Sequence, residues 1–277
     1  MSAKAEAVIG KLLRKAETTA SSAEADALMA KAQELATRYS IDLARARYAD
    51  TKAQERELVE ERSMGIGRPR QRHVAALRRL YTVIAQLNDV EVLMRGGEAE
   101  VYPIGMPSDL DATEVLYRSL VAQMVAAADR WLASGEHRDL ERHVRRGHRV
   151  VREPVHTSTA RGVFYDGYIH RIHLRLTVAR DTALDQAITD ELATRAGPPA
   201  PGKDGSGLLP GRELSSTALA LRAKSEEVGD FIAAKYPKVG IKRSRASTAG
   251  QHTERIRAAG RAAADGARMS GQKAVGG

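Results

Sequence analysis

Three side chains could hold a metal ion from one face of a single helix. Asp166, His170 and His173 follow one another at four- and three-residue steps, and a helix places such positions on one stripe. Two imidazoles and a carboxylate suit a divalent metal, and a bound metal can activate water for attack on a phosphodiester. His143, His148 or His156 could add a ligand, because six of the eight histidines lie between His137 and His173. The plainer reading is a solvated face, or neutral histidines beside a phosphate backbone. No acidic pair of the two-metal type accompanies the cluster.

Other chemistry is harder to find. The chain has no cysteine, which removes thiolate nucleophiles, thiolate metal sites and disulfides, and fits a reducing compartment. His137-Arg138-Asp139-Leu140 matches the opening of a kinase catalytic loop. The later Asn, a Gly-rich nucleotide loop and Asp-Phe-Gly are all missing. Gly65-Ile66-Gly67 lacks the third glycine and the preceding strand of a dinucleotide fingerprint. No loop of the Gly-Lys-Ser/Thr kind and no strand-to-helix nucleophile elbow is readable. The expectation is a protein without catalytic residues and without a required cofactor, a divalent metal being the one the residues could take.

Charge is the stronger signal. The chain carries a net +9 over 277 residues, and that charge is segregated. From Lys238 onward nine Lys and Arg face only Glu254 and Asp265. Between Glu136 and Arg180 there are ten Arg against five acids, and the remainder is mildly acidic. Segregated positive charge is a footprint for a polyanion, most often nucleic acid. A helix over 137–149 would gather Arg138, Arg142, Arg145, Arg146 and Arg149 on one broad face, able to follow a phosphate backbone. The competing reading is internal pairing, with Glu136, Asp139, Glu141 and Glu153 nearby and Glu114 or Asp129 reaching across. In the tail, Lys242-Arg243-Ser244-Arg245 is a compact basic patch. A helix from Thr248 to Ser270 would put Ile256, Ala259, Ala263 and Gly266 or Ala267 on a small-residue stripe, with Arg257, Arg261 and Arg268 off it. That stripe should pack on the body or on a second subunit, leaving the arginines for a partner. The alternative is a solvated terminus.

The elements that must position these residues are mostly helices. Ala, Leu, Arg and Glu dominate and aromatics are only 4%, a composition that loses little rotamer freedom in a helix. Val8, Ile9, Leu12 and Leu13 mark a first helix. Leu28, Met29, Ala32, Leu35 and Ala36 mark a second that closes near Tyr39, and Ser40 is placed to cap a short third. Residues 46–67 are charged and helix-compatible. Val74, Leu77, Leu80, Tyr81, Ile84 and Leu87 outline another helix. Val90–Met94 and Ala99–Tyr102 then read as a β-hairpin around Gly96-Gly97, ended by Pro103 and Gly105. Ser108 is placed to cap a helix running to Trp131. A further helix spans about Ser158 to Ala193, with Phe164, Tyr168, Ile172 and Leu176 at four-residue steps as its core stripe. The Pro- and Gly-rich stretch after Gly197 is a linker by composition. The helix from Glu213 to Lys235 follows, carrying Leu214, Leu219, Leu221, Val228 and Ile232.

The opening segment is similar to a known domain. Lys11-Leu12-Leu13, a short polar turn, Lys31-Ala32-Gln33-Glu34-Leu35 and Tyr39-Ser40-Ile41-Asp42 resemble a short N-terminal domain of unknown function. That domain opens many uncharacterised bacterial and phage proteins. The resemblance is best over the first 45 residues. Ile104-Gly105, Phe164-Tyr165-Asp166-Gly167-Tyr168, Arg171-Ile172 and Arg175-Leu176 have looser counterparts in longer members. The resemblance implies no activity and no catalytic residues; its occurrence in phages implies an accessory role in DNA transactions.

The fold class expected is α+β and predominantly helical, with an N-terminal helical hairpin, a helix–β-hairpin–helix unit and long C-terminal helices. The expected organisation is a hairpin domain at 1–45, a charged connector at 46–69 and an α+β core at 70–196. A flexible linker at 197–211 and C-terminal helices with a basic tail at 212–277 complete it. The expected function is a non-catalytic accessory protein binding duplex DNA, or a DNA-bound enzyme such as a recombinase, through the basic segments. Two alternatives stand beside it: a metal-dependent phosphodiester hydrolase using Asp166, His170 and His173, and a self-associating interaction module that could form homo-oligomers. No apolar run approaches the ~20 residues needed to span a bilayer, and Lys11, Arg14 and Lys15 interrupt the N-terminus where a signal peptide would be apolar. A cytoplasmic protein with no membrane partner is expected.

Overall fold

The computed structural model describes residues 3–19, 22–49, 57–68, 70–95, 99–146, 149–196, 215–237 and 251–265. Helices α1 (Ala3–Thr18) and α2 (Ser22–Ala49) form the expected N-terminal hairpin. Ile9 and Leu13 are buried in one cluster with Met29, Ala32 and Ala36. The same cluster takes in residues as distant as Tyr168 and Ala264, so the hairpin packs on the rest of the chain. α2 does not stop at Tyr39. It runs unbroken through Ser40, because the Ser40 hydroxyl accepts from Lys224 Nζ at 2.7 Å instead of capping a new helix. Ile41 and Ala44 are buried one turn on, which continues the apolar stripe.

The connector is not wholly helical. It contributes two short strands, β1 (Glu60–Glu61) and β2 (Met64–Gly65). After α3 (Val74–Leu87) come β3 (Glu91–Leu93) and β4 (Glu100–Gly105). β4 pairs antiparallel with all three others: Glu61 lies opposite Ile104, Met64 opposite Val101, and Val92 opposite Pro103. The β3–β4 pairing is the hairpin read from the sequence, and Gly96-Gly97 lies outside the described residues. Two strands alone are marginal; β1 and β2 widen the sheet. Pro103 sits within β4 rather than ending it, and its carbonyl accepts from Arg62 N at 3.0 Å.

α4 (Pro107–Ser134) begins one residue before Ser108, with Met106 as N-cap and Pro107 in the first turn. Proline is suited there because its missing N–H would have no helical partner. Ser108 instead donates to Glu57 at 2.7 Å. Gly135, at φ 82°, ends α4 in the left-handed region.

The longest element is α5 (Thr157–Ala196). Phe164, Tyr168, Ile172 and Leu176 are each at most 1% exposed, and burial of the Phe164, Ile172 and Leu176 side chains stabilises by about 1.5–3 kcal/mol each. α6 (Ser216–Lys235) is capped by Ser215, whose hydroxyl accepts from Ala218 N at 3.0 Å. Its buried residues are Thr217, Ala220, Lys224 and Val228, while Leu219 is exposed; Leu214 lies outside the described residues. α7 (Gln251–Asp265) packs along α5. The architecture is mostly helical, with a small sheet and long C-terminal helices. No helix among the described residues is long and apolar enough to cross a membrane.

Candidate nucleic-acid interface

The segment expected as an arginine-faced helix is a β-ribbon. A 3-10 turn (Glu136–Asp139) leads into β5 (Glu141–Arg146), which pairs antiparallel with β6 (Arg149–Pro154). The register is Arg142 opposite Glu153, His143 opposite Arg152, Val144 opposite Val151, Arg145 opposite Val150 and Arg146 opposite Arg149. These two strands form a sheet of their own. The helical spacing on which a shared face of Arg138, Arg142, Arg145, Arg146 and Arg149 depended is therefore absent, since strands repeat every two residues. Val144, Val150 and Val151 favour the extended backbone. Gly147-His148, midway between the valines, is the sequence signal for a two-residue hairpin loop; the arginine spacing masked it.

The base of the ribbon is tied to the core. Val155 is buried and its amide donates to the Leu140 carbonyl at 2.9 Å. His137 is buried, with Nε2 3.2 Å from the Thr157 hydroxyl, beside Trp131, which stacks on Phe164 at 5.3 Å. β6 runs directly into α5, where His156 Nδ1 accepts from Ser158 N at 3.2 Å. Ser158 Oγ lies 3.4 Å from His73 Nε2, joining this corner to the start of α3. Burial, then the nearby Arg161 and Arg72, hold the His73 pKa below its ordinary value.

Within residues 142–152 there are five arginines, two histidines and no carboxylate. Glu141 approaches Arg152 at 3.9 Å, and both side chains are exposed, so this pair holds little energy. Arg138 is exposed. The carboxylates that could have reached across are engaged elsewhere: Asp129 pairs with Arg161 at 2.6 Å, and Glu114 with Arg118 at 2.9 Å. On the body, Arg62 meets Asp111 at 2.7 Å, and Arg180 meets Asp89.

The described part of the second basic zone, α7, comes to the same place. α7 lies beside β5, although about a hundred residues separate them in sequence. Its small-residue face does pack on the body of the same chain. The buried line is Ile256, Gly260 and Ala264, with Ala259 and Ala263 at its edge. Arg255 is exposed; Arg257 and Arg261 are half-buried. Lys242, Arg243, Arg245 and Arg268 lie outside the described residues.

The metal-ligand candidates sit on α5 as their spacing required, but they are not all available. The Asp166 carboxylate accepts from the Arg79 guanidinium on α3. His170 is exposed and His173 half-buried. Among the described residues, no group of three or more His, Asp or Glu is arranged to hold a metal ion.

Sequence reasoning missed a buried ionic cluster. Lys224, 4% exposed, lies 2.7 Å from Asp109 and 3.1 Å from Asp89, and donates to Ser40. Burial works to lower the Lys224 pKa, but the two carboxylates outweigh it and hold it above the ordinary value. A lysine kept protonated cannot serve as base to the serine beside it. The cluster ties α2, α4 and α6 to the turn after α3. Nearby, Gln33 Nε2 donates to Asn88 Oδ1 at 3.3 Å, and Asn88 Nδ2 donates to the Ile84 carbonyl at 2.8 Å.

Residues 9–43 match the model of a family described as a protein of unknown function, DUF2786. The match covers α1 from Ile9 and α2 as far as Leu43. It includes Gln33 and Ser40, the two α2 residues that reach Asn88 and Lys224, and excludes the ribbon and α7. No curated protein and no solved structure matches the chain.

Proposed function

We propose that this protein is a non-catalytic accessory factor that binds duplex DNA, alone or alongside a DNA-bound enzyme such as a recombinase. The observation that carries the reading is the ribbon: five arginines against two glutamates, Glu141 and Glu153 at its base, on a two-stranded sheet anchored there. A two-stranded ribbon fits the width of a DNA groove. Phosphates recognised by guanidinium groups release condensed counterions, which supplies affinity without reading sequence. The ribbon carries no Phe, Tyr or Trp, so stacking on single-stranded bases is not its mode.

The test is a duplex-binding titration against salt. With about five phosphates neutralised, log K falls against log salt with a slope near −4.5. An affinity independent of salt, or no binding at low ionic strength, overturns the reading.

A further inference from the structure

The ribbon and α7 are distant in sequence and adjacent in space, and how α7 is held is unusual. Where α7 crosses α5, Gly167 lies against the Arg257 carbonyl and Gly260 against the Phe164 carbonyl. A methyl group at either position would overlap the facing backbone. A Cβ on Gly260 would also stand 3.0 Å from the Tyr168 nitrogen. Two backbones approach this closely only where neither residue has a side chain. Further along, Arg171 pairs with Asp265, and Arg175 donates to the Ala264 carbonyl.

α7 has 15 residues, a length at which an isolated helix is marginal in water. Docking on α5 therefore fixes α7 as an element. It also brings α7, which carries Arg255, Arg257 and Arg261, beside β5. We propose that the ribbon and α7 form one two-part surface for duplex DNA, and that the Gly167–Gly260 crossing assembles it. This rests on the nucleic-acid reading above and adds to it that α7 must be docked for full binding. α7 has no Phe, Tyr or Trp either, so both parts act through phosphates and the partner is a duplex of high charge density.

The experiment uses the full chain and a duplex DNA probe, with three proteins compared: unaltered, Gly260→Leu, and Arg255→Gln/Arg257→Gln/Arg261→Gln. Docking of α7 is read separately, by the rate of tryptic cleavage in α7, using Arg257 and Arg261 as sites in the first two proteins. Gly260→Leu should keep the helical signal of the body, expose α7 to trypsin and reduce the magnitude of the salt slope by about two to three units. The triple variant should show the same slope loss while keeping the helical signal of the body. If the triple variant binds with the unaltered slope, α7 is not part of the surface. If Gly260→Leu leaves α7 protected, the crossing does not hold it. Either result overturns this inference while leaving the ribbon reading intact. Absence of duplex binding by the unaltered protein overturns both.

Discussion

Lys224 Nζ lies 2.7 Å from Asp109 Oδ2, and both side chains are 4% exposed. With Asp89, also bound by Arg180, they make two cations facing two carboxylates at the junction of α2, α4, α5 and α6. Removing one partner from such a group leaves a buried charge uncompensated. Lys224→Met should destabilise the fold by about 3–5 kcal/mol in urea denaturation. Lys224→Met/Asp109→Leu should recover part of that loss, because the orphaned carboxylate is gone. A stable Lys224→Met protein would mean that the cluster does not hold α6.

Glu191 should make stability depend on acid. It is buried near the end of α5 and accepts from Ser216 N at 2.7 Å, Thr217 N at 3.0 Å and the Thr217 hydroxyl at 2.8 Å. Burial alone would raise its pKa, but these donors at the N-terminus of α6 bring it down to about 2. A depressed carboxylate stabilises fully above its unfolded value of 4.5 and loses that contribution as pH falls toward about 2. The stability gap between the unaltered protein and Glu191→Gln should therefore be widest above pH 4.5 and shrink through that window. A gap that widens on acidification would contradict the assignment.

The Asp166–Arg79 pair is half-exposed and should behave as a surface ion pair. Asp166→Asn should change stability by about 1 kcal/mol or less and leave the metal content of the purified protein unaltered. A stoichiometric divalent ion lost on that substitution would restore the metal reading.

Gly135 occupies φ 82° with open space where a Cβ would stand, between α4 and the turn that leads into the ribbon. Gly135→Ala meets no steric neighbour but must adopt the left-handed region, which costs about 1–2 kcal/mol. A thermal melt reads the loss; a neutral substitution would mean that the turn relaxes.

Much of the fold was legible because its helices have strong periodicity. Phe164, Tyr168, Ile172 and Leu176 on α5 and Leu77, Leu80, Tyr81 and Ile84 on α3 are buried as their spacing implied. The errors came where tertiary contacts override local signals. Ser40 looks like a cap until Lys224 takes its hydroxyl. Glu60–Glu61 and Met64–Gly65 are too short to read as strands, and they exist because β4 pairs with them. The basic zones were visible as charge, but arginines at three- and four-residue steps point to a helix and hid the strands. The valines and Gly147 were the better guide. The Lys224 cluster left no trace, because its members lie far apart in the chain and each is unremarkable alone. The neighbourhood of α7 and β5 was likewise invisible: it follows from the Gly167–Gly260 crossing, a contact between two residues that have no side chain to read.

The most direct test of the central claim is to remove the ribbon's charge without its strands. Arg142, Arg145, Arg146, Arg149 and Arg152 are all replaced by Gln, and duplex DNA binding is titrated against salt beside the unaltered protein. The variant should keep its thermal transition while the slope shrinks by about two to three units and affinity at low salt falls. An unchanged slope in the folded variant would place DNA binding elsewhere and contradict the account.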